Sequence, residues 1–332
     1  MRENVRTGPL FPSSRLPHNA IPSLQGFSIM SFFIKKLAVI GVGLIGGSLA
    51  RALREQDLVG EVVGVNRSRT ALEKALALGV IDQGTTDAAE AVRQATLVLV
   101  ATPVRSIAPV VAYMAPFLAP GAVVTDVGSV KQSVVQACEA VMPVSTGKGE
   151  PVVHFVGGHP IAGREHVGVE HSFASLFEGS RTILTPTPRT ASDAQELVRL
   201  VWEAVGSQVE IMEAGYHDQV LAATSHLPHL MAYNVVNTLS DLEDQIRAEV
   251  FRYAAGGFRD FTRIASSDPS MWRDICLENR VAILDILGRF RMDLDRLMAQ
   301  IDSGNGDALY GIFARSKTTR DRILADNKFL KG

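Results

Sequence analysis

The side chains best able to move a proton or hold an anion cluster in a few short stretches of this sequence. His159 lies in "GGHPIAGRE" (157–165), between a glycine pair and a proline. A neutral imidazole, with an ordinary pKa near 6.5, can accept a proton from a hydroxyl. A histidine in such surroundings serves equally well as a polar residue in a tight turn, and the local sequence supports both readings. "TDVGSVK" (125–131) offers the hydroxyl of Ser129 and the ammonium of Lys131, which reads as a cap or a solvent-facing charge as readily as a site residue. "SHLPH" supplies His226 and His229, three apart and on one face of any helix that tolerates Pro228. They lack the HExxH context of a metal site, so anion binding or capping of a kink is expected and no metal is. His217, upstream, reads as a surface residue. "GGFRDFTRIASSDPSMW" (256–272) sets Arg259 and Arg263 four apart, with Asp260 between them. Arginine forks suit carboxylates, and the alternative is an exposed ion-pair face.

These stretches need a scaffold. "KLAVIG" (36–41), "EVVGVN" (61–66), "LVLVAT" (97–102) and "AVVTDV" (122–127) read as short apolar strands, and the segments between them have helical spacing. Such alternation builds right-handed βαβ units and a parallel sheet. "HFVGG" reads as another strand end, and "TILTPTP" and "SQVEIME" as two later strands around a helix. Beyond about residue 214 the strand signals vanish and long helical stretches follow, the first kinked at Pro228 and the last running to about Leu330. The expected fold is α/β: a Rossmann-type doubly wound sheet over residues 34–213, then an all-helical domain over 214–332. Residues 1–33, rich in Pro, Ser and Gly and without periodicity, are expected to be a disordered extension.

The first strand runs into "VIGVGLIGGSLARAL", a GxGxxG made by Gly41, Gly43 and Gly46. Gly41 permits the tight turn, Gly43 lets the backbone approach a pyrophosphate, and Gly46 allows close helix–strand packing. The helix N-terminus that follows offers free N–H groups to the anion. Leu44 and Ile45 within the loop, and Thr102 and Pro103 after "LVLVAT", join the expected dinucleotide site. An acidic residue holding the NAD ribose is expected after the second strand. Asn66 stands there instead, followed by Arg67 and Ser68. Asn does not repel a 2′-phosphate, and an arginine beside a serine hydroxyl can bind one, which favours NADP. NAD remains the alternative, with Asn66 on the ribose. Ser129, after the fourth strand, and His159 then face the crevice where strand carboxyl ends meet a ligand. There His159 can take a hydroxyl proton as hydride leaves.

Composition removes other classes. The 332 residues are 46% hydrophobic and 20% charged with a formal net charge of −2, and no basic run marks a nucleic-acid binder. No apolar run reaches the roughly 18 residues of a membrane span. Cys138 and Cys276 have no partner spacing, which fits a reducing, cytoplasmic setting.

Taken together, "VIGVGLIGGSLA", "TDVGSVK", "GGHPIAGRE..GVE", "SHLPH" and "GGFRDFTRIASSDPSMW" resemble the prephenate/arogenate (cyclohexadienyl) dehydrogenases of tyrosine biosynthesis, from about Leu37 to at least Asn279. The resemblance implies a homodimer formed through the helical domain, an active site in the cleft between the domains, and oxidative decarboxylation of prephenate or arogenate with hydride transfer to NAD(P). By motif, His159 resembles the proton acceptor and Ser129 the residue that bonds the substrate hydroxyl and orients it. His229 and Arg263 resemble the carboxylate-binding residues, with His226 as the alternative to His229. Asp260 would orient Arg263, Glu165 would stand near the cleft mouth, Arg259 would join the substrate side, and Trp272 would pack against the site. The chain departs from the family's pattern at Arg164, which adds charge near the substrate side chain, and at Asn66. The rival readings are another Rossmann-plus-helical dehydrogenase, of β-hydroxyacid dehydrogenase or imine reductase type, and a non-catalytic dinucleotide-sensing dimer. Neither calls for "GGHPIAG" together with "FRDFTRIA".

Overall fold

The computed structural model describes residues 32–143, 152–163, 167–242 and 244–326. The α/β part runs β1 (Ile34–Ile40), α1 (Leu44–Glu55), β2 (Val59–Val65), α2 (Arg69–Ala77), β3 (Gln83–Thr85), α3 (Ala88–Ala91), β4 (Leu97–Val100) and α4 (Val104–Met114). It continues with β5 (Val123–Asp126), α5 (Gln132–Val141), β6 (His154–Ile161), β7 (Arg181–Thr185), α6 (Ser192–Ala204) and β8 (Gln208–Ile211). The strands form one sheet in the order β3-β2-β1-β4-β5-β6-β7-β8. Strand order reverses between β1 and β4, whose ladder ends at Ile40–Val100, so a ligand crevice opens at their carboxyl ends.

The central strands are near-continuous apolar runs because both faces are covered. Leu37 and Val39 of β1 pack with α1, α2 and α6, whereas Ala38 and Ile40 pack with α3, α4 and α5. The sheet departs from the all-parallel expectation at one seam, since β7 runs antiparallel to β6. The seam matters because His159 lies on it, inside β6 and opposite Ile183, and not in a loop after a strand end. Pro160 is tolerated in the next position, near the end of that strand. β3 had no apolar signal to announce it: its three residues are Gln, Gly and Thr.

The helical part comprises α7 (Ala214–Leu221), a π turn at Ala222–His226, and α8 (Leu227–Ser240). α9 (Asp244–Arg252), α10 (Gly256–Thr262), a 3-10 turn at Arg263–Ser266 and α11 (Pro269–Glu278) follow, then α12 (Arg280–Asp302) and α13 (Gly306–Asp326). The expected kink at Pro228 is a widened turn just before it. Pro228 sits in the first turn of α8, where its missing N–H costs little, and the π turn absorbs the change of spacing. Trp272 and Ile275 of α11, Ile283 of α12 and Ala222 join the apolar cluster that covers one face of the sheet. No helix among the described residues is long and apolar enough to cross a membrane.

Candidate active site

The glycine loop has the shape a dinucleotide needs. Gly41 has φ +99°, and a Cβ there would lie 2.5 Å from the Ala101 carbonyl oxygen, so no side chain fits. A Cβ at Gly46 would meet the Gly41 oxygen at 2.6 Å. At Gly43 the Cβ position has no atom within 4 Å, and no side chain caps the α1 N-terminus. Open space before uncapped N–H groups suits a pyrophosphate. Leu44 is buried and Ile45 packs against the core, so both would meet a ligand through their backbone. Thr102 brings a buried hydroxyl without a partner among the described residues to the end of β4, and Pro103 opens α4.

At the ribose end Asn66 follows β2, and its Oδ1 accepts the Ser68 N–H at 3.2 Å. Ser68 caps α2, its hydroxyl accepting the Ala71 N–H at 3.3 Å. The cap uses only an acceptor site of the Ser68 hydroxyl, whose O–H can still donate, and exposed Arg67 is the nearest cation in sequence.

A chain of imidazoles leads from the helical part to β6. The His217 Nδ1 is 2.8 Å from Asp218 Oδ1, and its Nε2 is 2.9 Å from His159 Nδ1. Asp218 also accepts the backbone N–H groups of Lys131 at 2.8 Å and Gln132 at 2.9 Å, at the start of α5. A carboxylate can only accept, so a neutral His217 donates from Nδ1 and presents the Nε2 lone pair. His159 must then donate from Nδ1, which leaves its own Nε2 unprotonated. This tautomer is assigned from the network, and it is the one a general base requires. His159 is held well below the usual histidine range, first by burial and then by the charges His217, Lys131 and His226 would present, so it is neutral at pH 7.

His217 is therefore no surface residue: it is 0% exposed. Lys131 is also 0% exposed and neither faces solvent nor merely caps a helix. Its Nζ pairs with Asp126 and donates to the Gly158 oxygen at 2.9 Å. Ser129, between Lys131 and Gly128, is half-buried, and its hydroxyl has no protein partner among the described residues.

Trp272 separates the roles of His226 and His229. His226 is buried, edge-on to the Trp272 ring at 5.9 Å, and its Nδ1 lies 3.2 Å from Asn279 Nδ2. Asn279 also bonds the Asp218 carbonyl at 2.8 Å, so His226 braces the relay from behind. Burial pushes its pKa down to about 4. His229 stacks on the same indole at 4.1 Å and is half-buried, with Nδ1 on the Ser225 carbonyl at 2.9 Å. Burial lowers its pKa, the Ser225 bond opposes this, and nearby Arg263 lowers it further. His229 and Arg263 thus share one neighbourhood. Arg259 and Asp260 pair with each other at 3.7 Å on an exposed face of α10. Glu165 and Arg164 lie outside the described residues. Among the described residues no group of three potential ligands could hold a metal ion.

The sequence reading missed His217, Asp218 and Asn279. An adjacent His-Asp pair shortly before "SHLPH" was the available signal, since Asp beside His at a helix start can orient an imidazole.

Comparison with known proteins identifies the family. The profile of the prephenate dehydrogenase nucleotide-binding domain matches residues 49–211, and that of the prephenate dehydrogenase dimerization domain matches residues 213–315. The chain is 40% identical over 293 residues to a cyclohexadienyl dehydrogenase of Zymomonas mobilis, covering 88% of this chain and 97% of the relative. It is 35% identical to a prephenate dehydrogenase of Bacillus subtilis, covering 86% and 76%. The crystal structure of Aquifex aeolicus prephenate dehydrogenase with hydroxyphenyl propionate and NAD+ superposes with TM-score 0.80 at 38% identity, covering 88% of this chain and 99% of the other. Synechocystis arogenate dehydrogenase superposes with TM-score 0.73 at 30% identity, covering 86% and 99%.

Proposed function

The chain belongs to the prephenate dehydrogenase family, and we propose that it oxidatively decarboxylates prephenate, arogenate or both in tyrosine biosynthesis. The observation that carries this reading is the hydrogen-bonded chain Asp218–His217–His159. It assigns an unprotonated Nε2 to a neutral His159 on the sheet, while His229, Arg263 and Trp272 lie together in the helical domain.

Nicotinamide supplies a hydride acceptor when the dinucleotide is bound. The residues do the rest. His159 Nε2 takes the proton of the ring hydroxyl as the C4–H bond breaks and the C4 carbonyl forms. Ser129 donates to or accepts from that hydroxyl and fixes its direction. The bond from C1 to the ring carboxylate then breaks, its electron pair makes the ring aromatic, and CO2 leaves. The phenolate so formed regains a proton, which His159 is placed to return. Arg263 and His229 hold the substrate carboxylates, with Glu165, Asp260 and Arg259 completing the substrate side, while buried His226 acts from behind through Asn279.

The preferred dinucleotide is NADP, with NAD as the alternative. Asn66 puts no negative charge where a 2′-phosphate would sit, Arg67 is the cation for it, and the Ser68 hydroxyl, which only accepts in the helix cap, can donate to it. The working form is a cytoplasmic homodimer joined through residues 214–332, with residues 34–213 binding the dinucleotide. The large apolar side chains that α12 and α13 leave exposed, Leu284, Met298, Ile301, Tyr310 and Phe313 among them, support that pairing. The test is a four-way assay of prephenate and arogenate against NAD and NADP, read by reduced-nicotinamide absorbance. Turnover is expected with at least one pair, and silence in all four refutes the proposal.

A further inference from the structure

Beyond the reacting groups, the buried pair Asp126–Lys131 has no part in the chemistry above, yet every side-chain bond it makes outside the pair reaches the backbone beside Ser129 or His159. The reason lies in the seam of the sheet. The β5–β6 ladder ends at the pair Thr125–Val156, while β6 continues for several residues against β7. From Gly157 onward one edge of β6 has lost its strand partner. At that edge buried backbone groups must find another.

Asp126 and Lys131 supply it. Asp126 Oδ1 accepts the Gly158 N–H at 3.1 Å, and Lys131 Nζ donates to the Gly158 carbonyl at 2.9 Å. Asp126 Oδ2 accepts the Gly128 N–H at 2.8 Å as well as the Lys131 ammonium. One ion pair therefore grips both polar groups of the residue before His159 and the N–H of the residue before Ser129. Space is equally constrained: a Cβ on Gly158 would lie 2.8 Å from the Asp126 carbonyl oxygen, and one on Gly157 would collide with the Thr185 hydroxyl. A fully buried ion pair is not needed for stability, because apolar replacements are often as stable. Its bonding pattern calls for another explanation.

We propose that Asp126 and Lys131 are positioning residues, a side-chain substitute for the missing strand that sets the placement of Ser129 relative to His159. This rests on the reading of Ser129 and His159 as the groups that meet the substrate hydroxyl. Lys131 acts through placement and through its charge, which helps keep His159 neutral.

The experiment uses the full-length protein with Lys131→Met and with the double variant Asp126→Asn/Lys131→Met, which leaves no unpaired buried charge. Both should lose about 10- to 100-fold in kcat, since misplacement of a catalytic group by about 1 Å costs that much, while KM and dinucleotide affinity hold. A second readout needs no turnover. In substrate-free protein the His159 Nδ1–H, shielded by His217, should give a slowly exchanging imidazole signal that broadens or disappears in both variants. In Lys131→Met the His159 pKa should rise, because a nearby positive charge is gone. A double variant that keeps wild-type kcat and the sharp His159 signal overturns the proposal. So does a double variant that cannot fold, because the pair would then be a structural element alone. If wild type turns over neither substrate, the functional reading fails while the imidazole signal still reports on the positioning.

Discussion

Replacing His217 with Phe tests the relay without breaking the fold around it. The ring shape is kept, and Asp218 retains the Lys131 and Gln132 N–H groups at 2.8 and 2.9 Å, so no buried carboxylate is stranded. What is lost is the acceptor 2.9 Å from His159 Nδ1. In the ground state that bond fixes the tautomer. In the transition state, with a proton arriving at Nε2, it becomes a bond from a cationic donor. Hydrogen bonds to charged groups contribute about 1.5–3 kcal/mol, so kcat should fall by about 10- to 150-fold. KM should change little, because His217 is buried behind His159 and does not reach the substrate. The assay is steady-state turnover at neutral pH, with dinucleotide affinity and thermal melting measured alongside. A His217→Phe protein that melts normally and keeps kcat within about twofold would show that His159 needs no orienting partner, and the relay argument would be wrong.

Other outcomes follow from the same geometry. Arg263→Ala should raise KM by about 10- to 150-fold, the worth of a charge-assisted fork, with kcat less affected; an unchanged KM removes Arg263 from the substrate site. Asn66→Asp should raise the NAD-to-NADP ratio of kcat/KM by about tenfold or more through repulsion of the 2′-phosphate, and an unaltered ratio sinks the ribose argument. Acid should weaken the fold. His226 has a folded pKa of about 4 against an ordinary 6.5, so the unfolded chain binds the proton first as pH falls. Its contribution is complete above about pH 6.5 and is lost progressively down to about pH 4, roughly 3 kcal/mol in all. Urea unfolding at pH 7 and pH 5 should differ by about 2 kcal/mol, and His226→Asn should flatten that difference; a pH-independent wild type contradicts the assignment.

The sequence made the dinucleotide half legible because its requirements are local. Gly41 and Gly46 are forced by turn geometry and close packing, Gly43 leaves open space before α1, and apolar runs such as "LVLV" announce strands covered on both faces. The site was legible where a motif held reactive side chains together, as at His159, His229 and Arg263. It was not legible where partners come from distant elements. His217 reaches His159 across 58 positions, and Asn279 reaches His226 across 53. Lys131 looked like a surface charge because lysine usually is one, and only the seam between β5 and β7 explains its burial. The antiparallel turn of β7 was hidden for a related reason, since alternation of strands and helices does not encode strand direction.

The central claim is that His159 takes the substrate hydroxyl proton during oxidative decarboxylation. It is met most directly by comparing wild type with His159→Asn on prephenate and on arogenate, each with NAD and with NADP. The account predicts turnover by wild type with at least one pair and a kcat lower by about two to four orders of magnitude in the variant, with dinucleotide binding intact. A His159→Asn enzyme as fast as wild type would contradict it.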